Sequence, residues 1–239
     1  MKSQERKAES GSKQVEKLIE ALLEIGGKDE FLEINVLLQK YSVEVSSDLI
    51  DRVVLNWVKL LGYGHIDKDQ KVDILSVLIY SHDADLITDV RLAYHKACKE
   101  PITPMIFRDL LSHLDTCNAM MREVCESLKK VFAENKQATT GMLMDALSLP
   151  LTSLLTKTKI VSGVAMFFAD TKRWNVLDGM VTNSFDVGSI RYVLGELCRS
   201  GEVKRALAWQ KAHAKEIPEL RPADFALLTE AVKKRGQKK

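Results

Sequence analysis

The chain has 239 residues, of which 46% are hydrophobic, and its 35 Lys and Arg residues against 33 Asp and Glu residues give a net charge of +2. This length allows one elongated domain or two compact ones, and this charge is too small to indicate nucleic-acid binding by itself. The apolar runs are shorter than the ~18 residues that span a bilayer, and the first residues do not resemble a secretory signal. We therefore expect an intracellular protein that does not enter a membrane and whose cysteines are buried, reduced thiols.

The polar N-terminal segment, residues 1–12, is predicted to be disordered. Apolar residues then recur with helical periodicity, and a Gly-Gly pair from Gly26 ends the first helix. Asp48 and Asp83 are candidate helix caps, and Gly62 ends the third helix. The first half contains these apolar stripes: Val15–Leu23, Phe31–Leu38, Ile50–Leu61, Val72–Ile79 and Leu86–Ala93.

The second half shows the same pattern, with no long alternation of period two, and residues 41–45 are the single weak candidate for a strand. Its clearest stripes are Phe107–Leu114, Met121–Phe132 and Ile190–Cys198. The sequence thus predicts an all-α fold of about a dozen helices. We expect them to be arranged as a right-handed α-solenoid of antiparallel helix pairs over residues 13–236, followed by a basic tail at 237–239.

An internal repeat is visible near the C-terminus. The segment Ser189–Gly201 can be superposed on Asp224–Gly236, which places the two turn glycines 35 residues apart. Between them Ala206 is small enough for a second helix to approach the first closely. Pro222 stands where the next helix should begin, a position at which no backbone donor is needed. A helical-hairpin repeat is therefore predicted for residues 187–236.

The stretch Leu197–Leu207, with its Leu-Cys-Arg run, turn glycine and following alanine, resembles the centre of a pentatricopeptide repeat. Ile106–Asp115 resembles the first helix of such a repeat, with Asn118 at the turn position. Residues 72–140 fit as degenerate repeats, whereas residues 141–186 do not fit the period and predict an irregular helical unit. The related tetratricopeptide repeat shares the spacing from glycine to alanine.

The pentatricopeptide resemblance implies a mitochondrial scaffold that binds single-stranded RNA, one base per repeat; without it, a cytoplasmic location is expected. The positions that read bases in that family correspond here to Arg108, Arg191 and Arg221. Arginine presents donors in a planar fork that suits phosphate or carboxylate, so these residues do not match the usual base code of the family. Contact with RNA phosphates, or docking on a protein or ribonucleoprotein, is the expectation that follows.

Lys172 and Arg173 precede Trp174 and form a second candidate surface. Two cations beside an aromatic ring could contact and stack on RNA. The alternative is a helix corner at which the two charges are only solvated.

Motifs of nucleophilic catalysis, nucleotide binding and metalloprotease chemistry are missing from the sequence. We therefore expect a non-catalytic scaffold with no cofactor, metal or small-molecule substrate. Two functions stay open: binding of RNA or a ribonucleoprotein through a basic face, and a role as a protein–protein interaction subunit of a larger complex. A third reading places the chain beside a catalytic RNA-processing domain that lies outside it.

Overall fold

A computed structural model describes residues 2–41, 45–62, 81, 83–98, 102–148, 154–181, 183–217 and 221–236. All regular structure in these residues is helical, in twelve helices, which confirms the predicted all-α class. The predicted stripe Val72–Ile79 and the basic tail lie outside the described residues, as does most of the weak strand candidate. Among the described helices, none combines the length and apolar character needed to cross a membrane.

The chain divides into two compact units, Met1–Ala119 and Met120–Lys239, here called unit 1 and unit 2. The described helices of unit 1 are α1 Lys2–Ile25, α2 Lys28–Tyr41, α3 Ser47–Gly62, α4 Ala84–Cys98 and α5 Pro104–Thr116. Helix α1 packs on α2 and α3, α3 packs on α4, and α4 packs on α5. Unit 1 is thus built mostly from contacts between helices that are close in the chain.

The helices of unit 1 bury most of the described part of their predicted apolar stripes, although Leu18 of α1 is 44% exposed. Fully or nearly fully buried core residues include Ile19, Leu22, Phe31, Ile34, Leu38, Val53, Val54, Ile87, Val90, Phe107, Leu111 and Leu114. Asp83 caps α4 as predicted, because its Oδ1 accepts hydrogen bonds from the backbone N–H groups of Asp85 at 2.9 Å and Leu86 at 3.1 Å. Asp48 does not cap α3. It lies within the first turn, whose N–H groups bond to the carbonyl of Ser46.

The first helix differs from the expectation for residues 1–12. Helix α1 begins at Lys2, within the segment for which composition predicted disorder. Lys, Glu, Gln and Ala are strong helix formers and dominate this segment. A helix that forms at the apolar stripe from Val15 to Leu22 can be extended by such residues towards the N-terminus, because adding a residue to an existing helix is easier than starting one.

The helices of unit 2 are α6 Met121–Glu134, α7 Thr140–Ser148, α8 Leu154–Asp170, α9 Trp174–Asp178, α10 Val187–Arg199, α11 Val203–Ala212 and α12 Pro222–Gly236. Helices α6, α9 and α10 pack against α8, and α10 in turn packs against α11 and α12. Helices α8 and α10 thus each contact three others, and α8 does so although it falls in the segment 141–186 that the repeat pattern left irregular.

The composition of α8 explains its deep burial. Every residue from Ile160 to Ala169 is buried, as expected for a helix that is apolar on all sides. Gly163 lets α6 approach closely, since a Cβ atom at this position would lie 2.6 Å from Cβ of Val124 and 2.8 Å from the carbonyl oxygen of Met121. Phe167 and Phe168 are fully buried beside it, so their prediction as packing residues is confirmed.

Three helices end in the same way. Asn118, Lys172 and Gly201 have φ values of 57°, 55° and 75°. In each case the next N–H reaches back five residues, to the carbonyls of Leu114, Phe168 and Leu197 respectively. These are Schellman caps, which require a left-handed residue just after the helix. The sequence predicted turns at Asn118 and Gly201, and both turns are confirmed.

The predicted helical hairpin at the C-terminus is present as α10, the turn at Gly201 and α11. Ala206 is fully buried, and the two helices pack on each other. Cys117, Cys125 and Cys198 are buried free thiols, as predicted, while the side chain of Cys98 lies outside the described residues.

Candidate partner-binding surfaces

Two of the three arginines selected by the repeat resemblance meet at one carboxylate. Arg221 donates from Nε to Oδ2 of Asp224 at 3.0 Å and from Nη2 to Oδ1 at 3.1 Å. Arg191 on α10 donates from Nη1 to the same Oδ2. Asp224 is 4% exposed, whereas the Arg221 side chain is 61% exposed.

Asp224 also caps α12. The backbone N–H of Arg221 donates to its Oδ2 at 3.2 Å, so the carboxylate serves the first turn of the helix as well as both guanidinium groups. The Arg221 guanidinium holds the pKa of Asp224 below its ordinary value, burial opposes this, and Arg191 adds to the lowering. The cluster of Arg191, Arg221 and Asp224 therefore ties α10 to the start of α12.

Arg173 and Lys172 occupy different environments although they are adjacent. The Arg173 guanidinium lies over two aromatic rings, 4.5 Å from the centroid of Phe132 and 5.5 Å from that of Phe167. Burial lowers its pKa. In a Schellman cap the residue after the left-handed position normally makes an apolar contact with the last turn. Arg173 makes that contact with the flat face of its guanidinium, which stacks well on aromatic rings.

Lys172 is exposed and adopts the left-handed conformation with φ of 55°. A residue with a Cβ atom pays about 1 kcal/mol or more for this conformation. Trp174, half-buried, is the first residue of α9. Of the predicted pair, Lys172 is the cation that faces solvent, and Arg173 is held against the core.

Arg108, the third of these arginines, belongs to unit 1. It lies on α5, is half-buried, and directs Nη1 towards Sδ of Met105 at 3.9 Å. The neighbouring Asp109 forms an ion pair at 3.1 Å with Arg91 of α4, whose side chain is nearly buried. Arg108 thus stands beside an ion pair that links two helices of its unit.

A polar cluster that joins three helices of unit 2 was not predicted from the sequence. Asp170, at the end of α8, accepts a hydrogen bond from Tyr192 of α10 and pairs with Lys129 of α6 at 2.5 Å. Arg122, also on α6, lies 3.7 Å from Asp170 and donates to the Tyr192 hydroxyl at 3.0 Å. Burial alone would raise the pKa of Asp170, but Lys129 and Tyr192 outweigh it and lower this pKa. The cluster joins the three central helices of unit 2.

Part of this cluster has ligand atoms that could in principle hold a metal ion. The Sγ atom of Cys125 and one carboxylate oxygen each of Glu126 and Asp170 all lie within 4.8 Å of one another. Lys129 bridges the two carboxylates, at 3.1 Å from Glu126 and 2.5 Å from Asp170. Burial raises the pKa of Cys125 to about 12, which keeps its sulfur protonated and a poor metal ligand. The residue chemistry fits an internal ion-pair network.

Sequence reasoning found the arginines but missed the acids and rings that hold them. Asp224 stands three residues after Arg221, a spacing typical of a capping residue in the first helical turn, so a local signal existed. Asp170 and Phe132 carry no such signal, because their partners are 22 or more residues away.

None of the protein families, curated proteins and solved structures compared with the chain matches it.

Proposed function

We propose that the chain is a non-catalytic helical scaffold that binds another protein as part of a larger assembly. The observation that carries the proposal is the pairing of Arg191 and Arg221 with Asp224. Two of the cations suited to an RNA backbone are already engaged within the fold. The hairpin of α10 and α11 agrees with a helical repeat of the pentatricopeptide or tetratricopeptide kind, which we propose for this region.

The energetics of phosphate binding favour a protein partner over RNA. An RNA phosphate at Arg191 would compete with a carboxylate that is nearly buried and tied to the helix start. Charge-assisted hydrogen bonds of this kind are each worth roughly 1.5–3 kcal/mol. Surface phosphate contacts gain mostly from release of counterions, which weakens with salt. The internal pair is therefore the stronger competitor at physiological ionic strength.

Helix α1 supplies an apolar surface suited to a protein partner. Leu18 and Ile25 are 44% and 67% exposed, and their spacing of seven residues places them on one face of the helix. Leu22, which lies between them on that face, is buried. The apolar stripe of α1 is thus wider than the part that packs within unit 1. Exposed apolar side chains of this kind form the centre of protein interfaces.

Binding of RNA is the second candidate, and the exposure of two cations favours it. Lys172 faces solvent, and the Arg221 side chain remains 61% exposed while it contacts Asp224. One carboxylate shared by two guanidinium groups also leaves the cluster with a net positive charge. Such a surface could contact phosphates weakly and without sequence preference.

Treatment of the natively isolated protein with ribonuclease separates the two candidates. We expect it to elute from size exclusion well above its mass of 26.9 kDa, and to keep that elution volume after ribonuclease. A collapse to the monomer after ribonuclease would establish the RNA function instead, and monomeric elution before treatment would contradict the assembly.

A double substitution on α1 tests whether the partner binds to this helix. Leu18→Lys combined with Ile25→Lys should release the partner and leave the helical circular dichroism unchanged, since both side chains are exposed. The matched control is Lys172→Glu, at an exposed position, which should leave the assembly intact. If the control releases the partner and the α1 variant does not, the basic surface at Lys172 is the binding surface.

A further inference from the structure

His213, at the end of α11, is buried among aromatic rings. Its ring centroid lies 4.8 Å from that of Trp209 and 5.3 Å from that of Phe185, and the latter two rings are 5.2 Å apart. His213 and Trp209 are each 2% exposed. The next turn begins at His213, whose carbonyl accepts from the N–H groups of Glu216 and Ile217. The His213 ring therefore holds the end of α11 against the core of unit 2.

Two ring nitrogens of this aromatic cluster lack partners among the described residues. Nε2 of His213 and Nε1 of Trp209 are buried and make no hydrogen bond to the described residues. A neutral imidazole is tolerated in such a place, although the unmade bond costs stability. An imidazolium ion costs much more, because its second N–H would point into an apolar environment with no acceptor.

The charges on the surrounding elements are mostly committed elsewhere. Asp186, next to Phe185, accepts from the N–H of Gly188 and caps α10. Asp224 of α12 is held by Arg191 and Arg221. Glu216, in the turn that follows His213, is the acid that favours a charged ring. Burial lowers the pKa of His213, and Glu216 opposes this only in part.

We propose that His213 is an acid-sensitive latch whose protonation releases the end of α11 and residues 213–217 from the core of unit 2. The ordinary pKa of histidine is about 6.5. Because the folded state disfavours the charged ring, the unfolded or opened state binds the proton more tightly. The latch is closed above pH 6.5 and opens as the pH falls below it.

The pH dependence of stability tests whether protonation of His213 destabilises the folded state. The unfolding equilibrium constant of the full-length protein is compared with that of His213→Gln between pH 7.5 and 5.0. The unfolding equilibrium constant of the wild type, divided by that of the variant, should rise by up to tenfold for each pH unit below about 6.5. Ala212→Gln is the matched control, since it places the same side chain at the exposed neighbouring position and removes no titratable group. That control should run parallel to the wild type. If the stability of His213→Gln also varies with pH in the same way as that of the wild type, the proposal is wrong.

Proton exchange tests where the opening occurs. After correction for the intrinsic effect of pH, the indole N–H of Trp209 should exchange faster at pH 5.5 than at 7.5, while the amide of fully buried Val193 on α10 should not change. Direct titration of the His213 ring by nuclear magnetic resonance gives an independent answer. A titration midpoint at or above 6.5 in the folded protein would refute the latch. His213→Phe, which keeps the ring packing, replaces the glutamine variant if that variant fails to fold.

Discussion

In unit 1 the described helices pack mainly on their near neighbours in the chain, whereas in unit 2 two helices, α8 and α10, each contact three others, and α8 is the more deeply buried. The helices of unit 1 are amphipathic and bury one stripe each. Helix α8 is buried on all sides from Ile160 to Ala169. A stack of amphipathic helices loses part of its core when one helix is damaged. An arrangement around a central helix concentrates both close packing and polar links in that helix.

Both units link helices through polar contacts, and both leave some buried polar atoms without a partner among the described residues. In unit 2 the carboxylate of Asp170 is shared by Lys129 and Tyr192, whereas Nε1 of Trp209 is unsatisfied. In unit 1 Arg91 pairs with Asp109 of the next helix, whereas the amide of Asn35 on α2 is 5% exposed and unsatisfied at both polar atoms. The satisfied contacts favour one arrangement of the helices, and each unsatisfied atom costs stability.

The substitution Gly163→Ala should have the largest effect, because it blocks the approach of α6 to α8. The new Cβ would lie 2.6 Å from Cβ of Val124 and 2.8 Å from a backbone oxygen, so backbone must move. We expect a loss of about 3 kcal/mol in the free energy of unfolding of unit 2. Urea denaturation measures it, with fluorescence of Trp174 and Trp209 in a Trp57→Phe background reporting on unit 2 alone.

Gly195→Ala is the matched control within the same unit. A Cβ atom there meets only the flexible guanidinium of Arg199, at 3.4 Å. Alanine is the better helix former by up to about 1 kcal/mol, so this variant should be neutral or slightly stabilising. Equal losses at both glycines would mean that α8 is not the centre of close packing.

The substitution Asp170→Asn should cost about 2 kcal/mol, because it leaves Lys129 and Tyr192 without their charged acceptor. The pKa of Asp170 is lowered in the fold. Its stabilising contribution is therefore complete above the ordinary value, near 3.8, and is lost as the pH falls through the folded value. The difference between wild type and variant should be constant from pH 7 to 5 and shrink below about pH 4.

Asp178→Asn provides the comparison for an exposed pair. Asp178 contacts Arg205 at 2.9 Å with half of its side chain in solvent, and such pairs contribute roughly 0.5 kcal/mol. If the two substitutions lower the free energy of unfolding equally, the polar cluster around Asp170 contributes no more to unit 2 than an exposed ion pair does.

The substitution Asn35→Leu should stabilise unit 1 by about 1 kcal/mol, since it removes two unsatisfied polar atoms and adds apolar contact. Slower hydrogen exchange of the α2 amides would report the gain. Asn56→Leu is the control: Nδ2 of Asn56 donates to the carbonyl of Arg52 at 3.0 Å on the exposed side of α3, and no gain is expected. A loss of stability at position 35 would mean that its amide has a role in the fold.

Sequence reasoning succeeded where the signal is local. The stripes of α1, α2 and α5, the cap at Asp83 and the turns at Asn118 and Gly201 each depend on residues within one or two helical turns. The reasoning did not find the role of α8, because a helix that is apolar on all sides lacks the periodicity by which amphipathic helices are detected. The candidate arginines were found, but their acidic and aromatic partners were not.

The amino-acid sequence by itself determined that the chain is helical and where most of its helices end, since periodicity, capping and left-handed turns act over a few residues. The tertiary structure decided which helix is central and which charges are available for a partner. Arg191 reaches Asp224 across 33 residues, and Arg173, in the turn between α8 and α9, reaches Phe132 on α6. Contacts of this length depend on how helices pack, and packing is set by the shapes of side chains that are distant in the chain.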